Sequence, residues 1–93
     1  MKVHVNFSAQ ARVAAGYAER DVELSAMATV LDLLRTLADA GPPEIRSFMF
    51  RDAGDVQRTL ILVRSAEPLQ RRGITTVLND GDVVSIVAPV AGG

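Results

Sequence analysis

Few residues of this 93-residue chain could do chemistry by themselves. With no cysteine, the sequence excludes a thiolate nucleophile, a disulfide and a thiolate metal site together. The single histidine, His4, falls at an outward position of an alternating segment and reads as a surface residue rather than a catalytic base. What remains is the stretch Pro89-Val90-Ala91-Gly92-Gly93, which follows the apolar run Val83-Val84-Ser85-Ile86-Val87 and closes the sequence. None of its side chains can act as a base, a ligand or a nucleophile. The reactive group to expect there is the α-carboxylate of Gly93. Gly92 and Gly93 lack Cβ atoms and can pass through channels closed to other residues. Pro89 restricts φ and cannot donate to a strand ladder, so it helps release the tail from the preceding strand. Extended, five residues reach about 17 Å. The sequence therefore predicts a globular domain over 1–88 and a flexible tail over 89–93.

The rest of the chain must position that tail. Its length allows one small domain. With 48% hydrophobic and 23% charged residues it has the composition of a soluble globular protein. A net charge of -1 argues against an electrostatic nucleic-acid binder, and Arg71-Arg72 is the only adjacent basic pair. The N-terminal residues are too polar for a signal peptide, and no apolar run approaches the ~20 residues of a membrane span. A cytoplasmic protein without nucleic-acid or membrane partners is expected. Asp80 and Asp82 lack further clustered ligands, so no metal site is predicted.

Val3, Val5 and Phe7 alternate with Lys2, His4 and Asn6, which predicts a first strand with one buried face. Residues 8–18 read as an Ala-rich connection with at most a loose turn, and residues 20–24 as a second strand paired as a hairpin. The period then changes. Thr29 is an N-cap with Asp32 in the capping-box position, and Val30, Leu33, Leu34, Leu37 and Ala38 form one helical stripe. Arg35 and Asp39 are spaced for an i,i+4 pair. Gly41 is expected to close the helix in a left-handed cap, with Pro42-Pro43 forbidding its continuation. Residues 44–50 suggest a short helical lid on the core, 51–55 a polar turn, and 59–63 a third strand ended by Ser65-Ala66-Glu67-Pro68. Asn79-Asp80-Gly81-Asp82 is a turn feeding the last strand. Strands on both sides of one main helix predict an α+β fold, a mixed sheet with that helix packed across one face.

The segment from Asn79-Asp80-Gly81-Asp82 through Val83–Val87 and Pro89 to Gly92-Gly93 resembles the C-terminal signature of the ThiS/MoaD-type sulfur carriers. Thr29-Val30-Leu31-Asp32-Leu33-Leu34 resembles their helix start. One departure is Arg64-Ser65, where many relatives carry Val-Asn. The resemblance implies the β-grasp, or ubiquitin-like, fold and a protein cosubstrate rather than an enzyme. It further implies an adenylating enzyme that converts the Gly93 carboxylate to an acyl-adenylate, then sulfur transfer to give a thiocarboxylate for a sulfur-accepting biosynthetic enzyme. The chain has no Gly-rich phosphate loop of its own, so ATP and its metal belong to the activating partner and no cofactor is expected to be bound. Molybdopterin, thiazole, cysteine, thiolated tRNA and specialised metabolites are all open as sulfur acceptors, and the tail looks closer to those of molybdopterin- and cysteine-type carriers. The rival outcome of the same adenylate is a ubiquitin-like modifier joined through Gly93 to target lysines.

Alternation also proposes where partners dock. With Val84 and Ile86 facing the helix, Val83, Ser85 and Val87 face away; with Leu60 and Leu62 inward, Ile61 and Val63 face away. A wet sheet face should be polar, yet four of these five residues are apolar. Ile61, Val63, Val83 and Val87 are the expected partner-binding patch, continued by Pro89, Val90 and Ala91 of the tail.

Overall fold

The computed structural model describes residues 1–50, 56, 61–65, 67–69 and 71–88. Strand β1, Lys2–Ala9, pairs antiparallel with β2, Glu19–Glu23, and buries Val3, Val5 and Phe7 on one face as the alternation predicts. The connection between them is not a loose turn. It contains a helix, α1 (Gln10–Ala15), that packs against β1 and sets Ala11 and Ala15 into the core. Alanine's small size and high helix propensity permit this, but six residues are too few to display a stripe. Behind α1, the rings of Phe7 and Tyr17 meet edge to face at 5.3 Å, and the Arg20 guanidinium lies 5.7 Å from the centre of the Tyr17 ring.

Helix α2, Val30–Ala40, forms as its sequence dictates. The Thr29 hydroxyl accepts from the Asp32 backbone N–H at 3.2 Å, and Asp32 Oδ2 accepts from the Thr29 N–H at 2.9 Å, a reciprocal capping box. The hydrogen bonds from Thr29, backbone first and side chain second, hold the Asp32 carboxyl below its ordinary value. Val30, Leu33, Leu34, Leu37 and Ala38 are all buried. Each fully buried aliphatic side chain contributes about 1.5–3 kcal/mol relative to exposure, so this stripe fixes the helix on the sheet.

The helix ends differently from expectation. Gly41 has φ -99° and ψ -177°, an extended rather than left-handed conformation, while its N–H still bonds Leu37 O. Glycine is required for closeness instead: a Cβ here would stand 2.9 Å from Ile45 Cγ2 and 3.0 Å from Leu37 O. Pro43 occupies the first turn of α3, Pro43–Met49, where a missing N–H costs nothing. Ile45 and Met49 are buried, making α3 the lid anticipated from its apolar residues. Asp39 pairs with Arg46 of this helix, the partner the sequence had assigned to Arg35.

Strand β3, Ile61–Arg64, buries Leu62. Thr59, Leu60 and the polar turn at 51–55 lie outside the described residues. After Ser65, at φ 45°, the chain does not leave the sheet but returns as β4, Glu67–Leu69. Pro68 hid this strand from sequence reading; proline is tolerated because β4 is at the sheet edge. The left-handed Ser65 occupies the Asn position of the resembling family, a residue that adopts that conformation more readily. A 3-10 turn, Arg71–Thr75, and the buried Leu78 lead to the turn at 79–82, where Gly81 takes φ +86°. Strand β5, Val83–Ala88, then enters the sheet between β1 and β3, parallel to the first and antiparallel to the second. The order is β2-β1-β5-β3-β4, a mixed sheet sharing one core with α2 and α3. Among the described residues no polar or charged residue is buried.

Candidate functional site

The 79–82 turn is rigidly tied to the strands around it. Asp80 Oδ1 accepts from the Lys2 backbone N–H at 2.7 Å, and Asp82 Oδ2 accepts from the Asn79 N–H at 2.8 Å. Arg64 Nε also donates to Asp82 Oδ2 at 3.0 Å, with both side chains largely shielded. The two aspartates thus serve the turn. The residue that departs from the usual family pattern, Arg64, clamps β3 to the start of β5. Among the described residues, no group of three or more His, Asp or Glu side chains is arranged to hold a metal ion.

From that anchored start, β5 runs through the sheet and delivers the chain to Ala88, opposite Ala9 where α1 begins. Gly92, Gly93 and the residues Pro89, Val90 and Ala91 lie outside the described residues. Val84 and Ile86 are fully buried beneath the helices. Val83, Ser85 and Val87 occupy the opposite face, and the register sets Ile61 against Val87 and Val63 against Ser85. Ile61, Val63, Val83 and Val87 therefore share one side of the sheet, as the alternation predicts. Ile61 is 49% exposed and the other three are partly buried.

The β1 and β2 part of that face is polar. Across β5, His4, Asn6 and Ser8 of β1 stand beside Val83, Ser85 and Val87, followed by Asp21 and Glu19 of β2. His4 Nδ1 lies 2.7 Å from Asp21 Oδ1 and Nε2 2.9 Å from Glu19 Oε1. These bonds, Asp21 first, raise the imidazole pKa above 6.5. His4 is outward, as anticipated, but its two partners were missed. The available signal was an alternating basic strand facing an alternating acidic one across a predicted hairpin. Also unanticipated is Met27, which is 74% exposed and holds φ 71° in the turn before α2.

Residues 5–93 match the ThiS family. The chain belongs to that family. SAMP1 from Haloferax volcanii is 26% identical, with all of each chain covered and a TM-score of 0.88. A Pyrococcus furiosus protein assigned as subunit 1 of molybdopterin converting factor is 25% identical over 97% of this chain and 99% of its own, with a TM-score of 0.74. A chain of the Amycolatopsis orientalis BexX/CysO complex is 26% identical over 98% of this chain and 99% of its own, with a TM-score of 0.70. No curated protein matches the chain in sequence. The fold is the ubiquitin-like β-grasp, and the chain is a ubiquitin-like carrier or modifier of the ThiS type.

Proposed function

We propose that this ThiS-family protein is a sulfur carrier whose working group is the Gly93 carboxylate. The observation that carries the reading is that the family match runs through Gly93 and so includes the Gly-Gly end. A carboxylate cannot acylate directly because oxide is a poor leaving group. In the proposed sequence a Gly93 carboxylate oxygen attacks the α-phosphorus of ATP on an adenylating enzyme, and pyrophosphate leaves. Hydrosulfide or its equivalent attacks the acyl carbon, AMP leaves, and a thiocarboxylate remains. Its sulfur then adds to an electrophilic carbon of an activated double bond in the acceptor, the π electron pair taking up a proton, and water hydrolyses the acyl–sulfur bond, leaving the sulfur on the acceptor and restoring the carboxylate. ATP and its metal are held by the partner, in the cytoplasm, and the chain itself acts as cosubstrate.

The β-grasp body serves as the handle, with Ile61, Val63, Val83 and Val87 proposed to meet the adenylating and sulfur-accepting enzymes, continued by Pro89, Val90 and Ala91. The likeness to a subunit of molybdopterin converting factor supports an acceptor of the molybdopterin type, with a cysteine-type acceptor next. A second reading, conjugation of Gly93 to lysines of other proteins, is favoured by the similarity to small archaeal modifier protein 1 of H. volcanii.

Intact-mass analysis after incubation with ATP, an adenylating enzyme from the same organism and sulfide separates the two. Exchange of one oxygen for sulfur at Gly93 supports the carrier. Unchanged mass with new higher-mass conjugates supports the modifier. Activity that survives deletion of Gly93 would refute both.

A further inference from the structure

The charged half of the open sheet face is left unused by the chemistry at Gly93, yet it is built more closely than a solvated surface requires. His4 stands between Val83 on one side and Asp21 on the other, with both ring nitrogens against carboxylate oxygens. A neutral imidazole has one N–H and one lone-pair nitrogen. In that form one nitrogen would face a carboxylate oxygen with no hydrogen between them. Both contacts hold together only in the imidazolium, which therefore acts as a cation supplied by the chain itself.

Among the described residues, the other charged groups on this face are Lys2 and Glu23, cross-strand partners at one end, with Asp80 engaged by the Lys2 backbone. β5 contributes only Val83, Ser85 and Val87, and Asp82 is occupied by Arg64 and Asn79. Glu19, Asp21 and Glu23 thus outnumber these cations, and the excess lies on β2, separated from the apolar residues of β5 only by His4 and Asn6 of β1. A second copy of this chain would bring the same excess of carboxylates against it.

We propose that the two halves form one docking surface for a protein partner that presents an arginine or lysine beside an apolar contact, the partner's cation taking the Asp21 and Glu19 carboxylates in place of His4. This rests on the open face being the docking face of a carrier. It adds the chemistry of the partner and a dependence on pH. While protonated, His4 occupies the carboxylates and competes. Docking then releases its proton, so affinity rises as pH rises through the imidazole titration.

The test measures binding of the adenylating enzyme from the same organism at about pH 5.5 and about pH 8, at low and high salt, alongside an NMR titration of the single imidazole. Wild-type affinity is expected to rise roughly three- to fivefold between those pH values. His4→Gln should flatten that dependence. The pair Asp21→Asn with Glu19→Gln should weaken binding at the higher pH and reduce its salt sensitivity, and Ile61→Asp should weaken it most. Affinity that stays flat while the imidazole titrates in this range overturns the proposal, as does unchanged binding of the carboxylate variant. Thiocarboxylate formation at Gly93 is scored separately. Its absence despite pH-dependent binding refutes the carrier reading alone, and its presence with unchanged binding of the carboxylate variant refutes the cationic partner alone.

Discussion

The two sides of the same sheet are built on opposite principles. On the helix-covered side, Val3, Val5, Phe7, Val22, Leu62, Val84 and Ile86 meet the α2 stripe, and among the described residues no polar group intrudes. On the open side the same strands place His4, Glu19 and Asp21 on one face with Ile61, Val63, Val83 and Val87, with His4 next to Val83. One side is specified by volume and excludes water. The other mixes charge with apolar surface and keeps Ile61 half-exposed beside partly buried valines, which stability alone does not call for. Substitutions should separate them: the covered side governs whether the protein folds, the open side what it meets.

The largest loss should follow Leu34→Ala. A fully buried leucine truncated in a packed core costs about 2–5 kcal/mol, read from the urea midpoint. Gly41→Ala comes next, because its Cβ would press on the Leu37 carbonyl as well as on Ile45; about 1–3 kcal/mol is expected, although the backbone angles suit alanine. A left-handed glycine cap would show the same sign but no relief from Ile45→Leu, which removes the Cγ2 methyl, so that double variant discriminates the two causes. Thr29→Ala removes the helix cap and should lower stability by about 1 kcal/mol.

The two perturbed titrations give pH dependences of opposite sign. Asp32 has a depressed folded value, so its contribution is present above its unfolded value of 3.8 and is lost as pH falls through the lower folded one. The deficit of Thr29→Ala should therefore shrink in acid thermal melts. His4 has a raised folded value, so its contribution is present below 6.5 and is lost as pH rises through the folded one. Wild type should exceed His4→Gln in melting temperature by more at about pH 6 than at about pH 8.5. Smallest of all, Ile61→Thr keeps a β-branched residue at an exposed site and should alter the urea midpoint by less than about 0.5 kcal/mol. A large loss there would mean that the open side contributes to folding as well, and the contrast would fail.

Legibility in the sequence followed the same division. α2 could be read to the residue because its cap, its stripe and its proline stop are all local signals. β1 showed its period of two, and β5 its apolar run after a turn signal. α1 escaped because its contact with the core rests on Ala11 and Ala15 alone, and β4 because three residues containing Pro68 carry no alternation. Gly41 was found for the wrong reason: its neighbour Ile45 is brought close by tertiary packing, which a single residue type cannot announce. The apolar patch was visible because alternation fixes the side of each residue. The His4 cluster was not, because it depends on cross-strand register and on which acid meets which nitrogen.

The place of β5 also bears on how the chain folds. The β1–β2 and β3–β4 ribbons form between segments close in sequence, but nothing in the sheet joins them until Val83–Ala88 inserts between them. A two-stranded ribbon is marginal in water, and pairing Phe7 with Ile86 closes a loop spanning most of the chain. The rate-limiting step of folding should therefore be this late, entropically costly closure, as expected for topologies of high contact order. On a ribosome, the strand that completes the domain is the one that leads directly into the glycines. Under the function proposed above, a partner that grips the open face of the sheet would meet the Gly93 carboxylate only on a chain in which β5 is already in place.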